Sequence, residues 1–302
     1  MLLKDYIPNI DKKFRSIFFS GISFDSKKVK KNDIFFAIKG NRSDGNNFIP
    51  TAIKKGSKII VTEKKIRKKQ DKILFICRKN PRKLLSEVSF KIYRKRPKNL
   101  IAVTGTNGKS SVVNFYYQIL KLNKKKVASI GTLGVKSNAF NLDLTNTTID
   151  PLQLGQILEK LHTKKIDNVI MEASSHGLDQ NRLDGLQFNT GIFTNLSQDH
   201  LDYHKNFKNY LEAKLYLFKK LIKKSGYIIT DNKIPQFKKI KKISKNKNLK
   251  LQTLDNKNNF EILSHGFYGE KQKLKIKYKN LIKTINLGLI GKIQLKNVLM
   301  AI

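Results

Sequence analysis

Cysteine is almost missing from this sequence: among 302 residues only Cys77 carries a thiol. An intramolecular disulfide is therefore excluded, and a reducing cytoplasmic compartment is the natural expectation. Long apolar runs are absent as well. The opening MLLKDYIPNIDKKF holds no stretch of signal-peptide length, and nowhere do ~18 uncharged apolar residues, a membrane span, follow one another. A soluble chain without membrane insertion is expected. Acidic residues are scarce, 22 against 62 Lys and Arg, for a formal charge of +40. Alone, such an excess points to nucleic acid or an acidic surface. Its distribution points elsewhere. Between Asp143 and Glu212 six basic residues stand against ten acidic ones, a local balance of −4. The excess lies in flanking runs such as KKIKKISKNKNLK, without interleaved aromatics. No nucleic-acid partner is expected.

A chain of this length has room for two domains, each burying its own core. The first part carries short β-rich runs at residues 33–38 and 57–62 with a helical segment between them. It closes on the basic stretch 93–98, where Pro97 discourages helix. The expected division is a small N-terminal α/β domain over 1–97 and a central domain over 98–302. In the second, residues 100–103 read as a strand, a glycine-rich turn follows, and 110–122 read as a helix with Val113, Tyr117 and Leu120 on one face. Strands at 127–130, 168–171, 191–193 and 227–230 alternate with helices at 151–161 and 207–222. That alternation predicts an α/β fold with a mostly parallel, doubly wound sheet and sites at the strands' C-terminal ends. The Lys-rich tail from Asn232 is only weakly patterned, and no internal repeat is present.

The stretch IAVTGTNGKSS, residues 101–111, sits between that first strand and helix. It has the order of a phosphate cradle, yet Val103 stands where the pattern G-x-x-x-x-G-K-[ST] demands glycine. Gly105 and Gly108 let the backbone turn N–H groups toward an anion, Lys109 supplies a charge, and the Ser110 hydroxyl suits magnesium. The helix dipole adds to this. A plain glycine-rich turn would read the same, so the loop alone names no reaction. Downstream, EASSHGLDQNR (172–182) and TNLSQDHLDYH (194–204) crowd polar residues after two strands, including His176, His200 and His204. Singly, each reads as an exposed loop histidine or a helix-capping carboxylate. Together, after a phosphate loop, they point to magnesium and acyl-substrate chemistry. Hard cations prefer oxygen, so Glu172 is the better ligand and His200 is less typical for magnesium.

The segment TGTNGKS, Thr104 to Ser110, resembles the phosphate loop of the Mur ligase family, which accounts for the absent glycine. Three longer blocks are similar to the branch of that family that adds the third residue of the peptidoglycan stem peptide. They are DSKKVKKNDIFFAIKGNRSDGNNFIPTAI from Asp25, MEASSHGLDQNRLDG from Met171 and NLSQDHLDYHKNFKNYLEAKLYLF from Asn195. The resemblance runs from about residue 20 to 230, and 291–302 is similar to the family's segment near the end of the central domain.

By that resemblance Gly105, Thr106, Asn107, Gly108, Lys109, Ser110 and Ser111 would hold ATP, with Asn297 near the adenine. Ser110 and Glu172 would bind magnesium, and His200 a second magnesium. Lys214 matches a lysine that the family carbamylates into a metal ligand; composition alone would leave it solvent-exposed on a Lys-rich helix. Lys109, Glu172, His200 and Lys214 would form the catalytic set. Asn146, Thr147, Thr148, Ser174, Gln180 and Arg182 match contacts to the UDP-sugar dipeptide, and Ser26 and Asp44 match uridine contacts. The implied reaction is ATP-dependent joining of diaminopimelate or lysine to UDP-N-acetylmuramoyl-L-alanyl-D-glutamate through an acyl phosphate, by a monomer in the cytoplasm.

Two departures stand out. Ile149 follows the Thr-Thr pair where the family has proline. The family's C-terminal domain, which binds the incoming amino acid, has no counterpart, so a fragment, a split-gene product or a chain inactive alone is expected. Three alternatives stay open. A folylpolyglutamate synthase should lack the SSHGLDQNR and DHLDYH blocks; a binding fragment would hold ATP or UDP-sugar without turnover; the acidic centre argues against a nucleic-acid ATPase.

Overall fold

Runs of β-branched and aromatic residues, too short for helices, make the strands of the first part of the chain. The computed structural model describes residues 1–40, 43–65, 72–254, 260–268, 271–278, 281–288 and 291–302. Asn41 and Arg42, in the first of the family blocks, lie outside these. The chain packs as two units, one of residues 1–94, 151–155 and 180–185, the other of 95–150, 156–179 and 186–302.

The first unit holds α1 (Leu3–Tyr6), β1 (Ile22–Ser23), β2 (Ile34–Ala37), α2 (Ile49–Lys54), β3 (Ile59–Thr62), β4 (Leu74–Cys77) and α3 (Pro81–Ile92). Its four strands are parallel in the order β1-β2-β3-β4. Every residue of β2 and β3 is buried, as a sheet covered on both faces requires. Ile34, Phe36, Ile59 and Val61 pack with Leu84, Leu85 and Val88 of α3, while Phe35, Ala37 and Ile60 pack with Ile49 and Ala52 of α2. Pro81 opens α3, and the Asn80 side chain accepts the Lys83 N–H.

The second unit follows with β5 (Asn99–Thr104), α4 (Lys109–Leu122), β6 (Val127–Gly131), β7 (Gly134–Ser137), β8 (Asn141–Leu142), α5 (Pro151–Thr163), β9 (Asn168–Glu172) and α6 (Ser175–Asp179). The first turn of α5 counts with the first unit. Then come β10 (Phe188–Phe193), α7 (Leu201–His204), α8 (Phe207–Tyr216), β11 (Ile222–Thr230), α9 (Phe237–Lys247) and β12 (Lys250–Thr253). The eight-stranded sheet has the order β12-β11-β10-β5-β9-β6-β7-β8. It is parallel except for β7 and β8. From β5 the chain crosses to β6, beyond β9, whereas β10 lies on the other side of β5. The winding reverses there, and this opens a crevice at the strands' C-terminal ends.

The predicted helix over 207–222 is shorter than expected. It leaves α-geometry at Tyr216, runs through a π turn at Leu217–Leu221, and Ile222 already belongs to β11. Packing decides this. A Cβ on Gly191 of β10 would lie 2.8 Å from both Phe218 and Ile222, so the turn presses directly on the sheet. The weakly patterned tail adds an antiparallel sheet of β13 (Phe260–Tyr268), β14 (Lys271–Tyr278) and β15 (Leu281–Leu287), then α10 (Lys292–Ala301). Leu274 and Ile276 of β14, with Leu295 and Leu299 of α10, join the core built on Val103, Val112, Val113 and Ile170.

Candidate active site

The loop between β5 and α4 has a fixed shape. Gly105 and Gly108 have φ of +147° and +84°, values that favour glycine. A Cβ at Gly105 would lie 1.9 Å from Thr194 Oγ1, and one at Gly108 would lie 2.6 Å from Asn297 Oδ1. The end of β10 grips the loop. Thr194 Oγ1 and Asn195 Nδ2 donate to the Asn107 carbonyl at 2.6 and 3.1 Å, and the Asn107 N–H donates to Asn195 Oδ1 at 3.0 Å. The first-turn N–H groups of α4 have no carbonyl within the helix to bond, which suits this end to an anion. Val103, where glycine was missing, is a fully buried strand residue paired to Glu172 and Ile192.

Two lysines converge on the loop's carbonyls. Lys109 Nζ donates to the Gly105 and Thr106 carbonyls at 3.0 and 2.8 Å, and Lys214 Nζ donates to the Gly105 carbonyl at 2.7 Å. Lys214 is 1% exposed, the reverse of its reading by composition. Its Nζ lies 4.3 Å from the Tyr210 ring centroid. Burial, then the charge of Lys109, pulls the Lys214 pKa down to about 7, against Asp199. Lys109 is lowered by burial, with Glu172 and Asp199 opposing.

Glu172, at the end of β9, is buried. Its Oε1 accepts the Thr132 N–H at 2.8 Å, and a Cβ on Gly131 would fall 2.2 Å from the same oxygen. Ser110 and Glu172 line one narrow crevice with Ser129, Gly131 and Lys136. An open groove of about 520 Å³ beside it is lined by Ser110, Ser111, Asn114, Phe115, Leu133, Gly288 and Gln294. Asn297 is buried under Gly108, its Nδ2 donating to Gln294 Oε1 at 3.2 Å. Thr148 Oγ1 donates to the Glu172 carbonyl at 3.1 Å and accepts the Ser174 N–H at 2.9 Å. Thr147 Oγ1 is 3.0 Å from Thr132 Oγ1, and Asn146 is exposed. Ile149 is buried in the core, so the position where proline was expected is filled by packing.

His200 heads α7 with φ +53° and its Nε2 3.3 Å from Asp199 Oδ2. The His176 ring lies 4.8 Å from that of His200 and 5.5 Å from that of His204. His204 is buried, and burial lowers its pKa, with Asp179 opposing. Among the described residues no group of three or more His, Cys, Asp or Glu is arranged to hold a metal by itself. The oxygen donors Ser110 and Glu172, on one crevice at the anion-binding helix end, nonetheless fit a hard cation shared with phosphate oxygens. As an ammonium, Lys214 is only a donor and ligates no metal.

In the first unit, Ser26 is buried at the start of a 3-10 turn capped by Asp25. Asp44 caps the next such turn: Oδ1 accepts the Asn46 N–H at 2.9 Å and Oδ2 accepts Lys64 Nζ at 3.0 Å. Asn46's backbone and side-chain hydrogen bonds, then Lys64, hold its carboxyl low, at about 2. Arg182 donates from Nε and Nη2 to Gln180 Oε1 at 3.1 and 2.8 Å. Sequence reasoning gave no role to Thr132, to Thr194 and Asn195, which it met only as part of a polar strand-end segment, or to Tyr210. For the first three the available signal was their place just after predicted strands; Tyr210, one helical turn before Lys214, gave none beyond that spacing.

A parallel sheet with a glycine loop at its switch point, a buried lysine and a half-buried one against that loop and a carboxylate on the neighbouring strand end has the arrangement of a phosphate-binding α/β protein. Two family models match the chain, "Mur ligase family, catalytic domain" over residues 19–92 and "Mur ligase middle domain" over 103–302. The chain belongs to the Mur ligase family. It is 40% identical over 298 residues to a UDP-N-acetylmuramoyl-L-alanyl-D-glutamate--2,6-diaminopimelate ligase of Rickettsia montanensis, covering 97% of this chain and 62% of the relative. A ligase of the same name from Bradyrhizobium diazoefficiens is 33% identical, with 100% and 63% covered. A solved structure of a ligase of that name superposes with a TM-score of 0.87 at 25% identity, over 100% of this chain and 62% of that one. The chain thus spans a little under two thirds of the length of these relatives.

Proposed function

We propose that the chain provides the ATP-binding and UDP-sugar-binding parts of an ATP-dependent amide ligase. It joins diaminopimelate or lysine to UDP-N-acetylmuramoyl-L-alanyl-D-glutamate. The convergence of Lys109 and Lys214 on the Gly105 carbonyl carries this reading. A buried lysine and a half-buried one donating to the same glycine loop suit a polyphosphate that takes up their charge.

A carboxylate oxygen of the dipeptide attacks the γ-phosphorus, ADP leaves, and an acyl phosphate forms. The amine of the incoming amino acid then attacks the acyl carbon, inorganic phosphate leaves, and the nitrogen loses a proton. Phosphoryl transfer of this kind needs positioning and charge neutralisation rather than a nucleophilic side chain. Lys109 and the N–H groups opening α4 hold the phosphates, with Asn297 at the adenine side. Ser110 and Glu172 would hold magnesium, and His200 would assist a second ion. When bound, the metal neutralises the charge on the transferred phosphoryl group. Lys214, its pKa pulled down to about 7 so that a good part of it is the free amine, would add to carbon dioxide with loss of a proton, and the resulting carbamate would replace the cation as a metal ligand.

Thr147, Thr148, Asn146 and Ser174, with Gln180 and Arg182, contact the dipeptide, and Ser26 and Asp44 contact the uridine. Residues 1–97 form the UDP-sugar domain and 98–302 the ATP domain, of a monomeric cytoplasmic enzyme. The test supplies the chain with the part of its relatives that it does not match, together with magnesium, ATP and the UDP-linked dipeptide. Amino-acid-dependent phosphate release is expected. Release with folate and glutamate instead, or with no amino acid at all, overturns the assignment.

A further inference from the structure

We infer that Tyr210 is a positioning residue that fastens the phosphate loop to α8 and thereby sets where Lys109 and Lys214 stand; this rests on the reading of the loop as an ATP site. Tyr210 is fully buried. Its hydroxyl lies 3.1 Å from Thr106 Oγ1, which donates to the Ser197 carbonyl at 3.2 Å and accepts the Ser197 N–H at 3.0 Å. A threonine hydroxyl has one proton and two lone pairs. The proton goes to Ser197, so Tyr210 is the donor to Thr106 and completes its set of three bonds.

The consequence runs along the loop backbone. The Thr106 carbonyl receives Lys109, and the preceding Gly105 carbonyl receives both Lys109 and Lys214. Any shift of Thr106 moves the acceptors that aim both ammonium groups. The face of the same ring lies 4.3 Å from Lys214 Nζ, a cation–π distance, and the His204 ring is 5.2 Å away on centroids. One side chain therefore touches the loop, the buried lysine and His204. Tyr210→Phe removes the hydroxyl and keeps the ring, its packing and its cation–π contact.

The experiment measures magnesium–ATP affinity of the full chain by calorimetry, below each variant's melting temperature, for the parent, Tyr210→Phe, Thr106→Val and the double variant. Tyr210→Phe is expected to weaken ATP binding about tenfold, the scale of one buried hydrogen bond. The double variant should bind no more weakly than Thr106→Val alone, because both remove the same link. Thr106→Ser, which keeps the hydroxyl, should bind more tightly than Thr106→Val; this contrast decides the matter should Tyr210→Phe fail to fold. A lowered melting temperature with unchanged affinity, or losses that add in the double variant, overturns the positioning role and leaves the ATP site standing. No ATP binding by the parent overturns both.

Discussion

The loop at the head of α4 and the turn around Asp44 both present polar groups where a nucleotide is expected, yet they differ in how those groups are satisfied. Asp44 completes its own turn through Asn46 and Lys64. Local geometry accounts for it without any ligand. At the loop, Lys214 is buried and Lys109 half-buried beside it, both donating to the Gly105 carbonyl, and the charge of Lys109 helps to lower the Lys214 pKa. Two like charges in a poorly solvated place are costly for folding alone. A binding site is the more legible where the protein holds groups that its own fold does not need.

The sharpest way to test that contrast is Lys109→Ala. It should reduce phosphate release in the reconstituted reaction on the order of 10³-fold, the scale of losing a preorganised charge donor, while the melting temperature holds or rises. Next, Gly105→Ala should destabilise the chain by about 3 kcal/mol in denaturant titration, since the backbone there is left-handed and the new methyl meets Thr194. A smaller effect is expected from pH. Because the folded pKa of Lys214 lies below the free value, the unfolded chain takes up this proton first as pH falls. Stability from this group is full above 10.5 and is lost by about 7. Lys214→Met should therefore be more stable than the parent near pH 7, by a margin that shrinks toward pH 10.5 in thermal melts.

Thr148→Val removes two hydrogen bonds beneath Glu172 and should cost about 1–3 kcal/mol of stability. Asp44→Asn should lower the melting temperature at neutral pH, because the charge-assisted bonds that hold the carboxyl low are weakened. An unchanged melting temperature there would erase the distinction between the two regions.

Much of the architecture was readable before the structure. The strands at 127–130, 168–171 and 191–193 fall inside β6, β9 and β10 because uninterrupted apolar runs of that length suit a sheet covered on both faces. The sheet in the tail was not readable. Its β14, KQKLKIKY, buries Gln272 alongside Leu274 and Ile276, so a polar residue interrupts the apolar face. The π turn after α8 was also hidden, because its cause is contact with Gly191, distant in sequence.

What the sequence determined is the set of parts: alternating elements, a glycine loop ending in Lys-Ser, and a carboxylate after the next strand in the sheet. These depend on local pattern and backbone freedom, which short stretches of chain specify. The tertiary structure decided which parts meet. It buried Lys214 and brought Tyr210, Thr194 and Asn195 onto a loop about a hundred residues away. Long-range packing sets burial and partners, and these turn a surface-type lysine into part of a site.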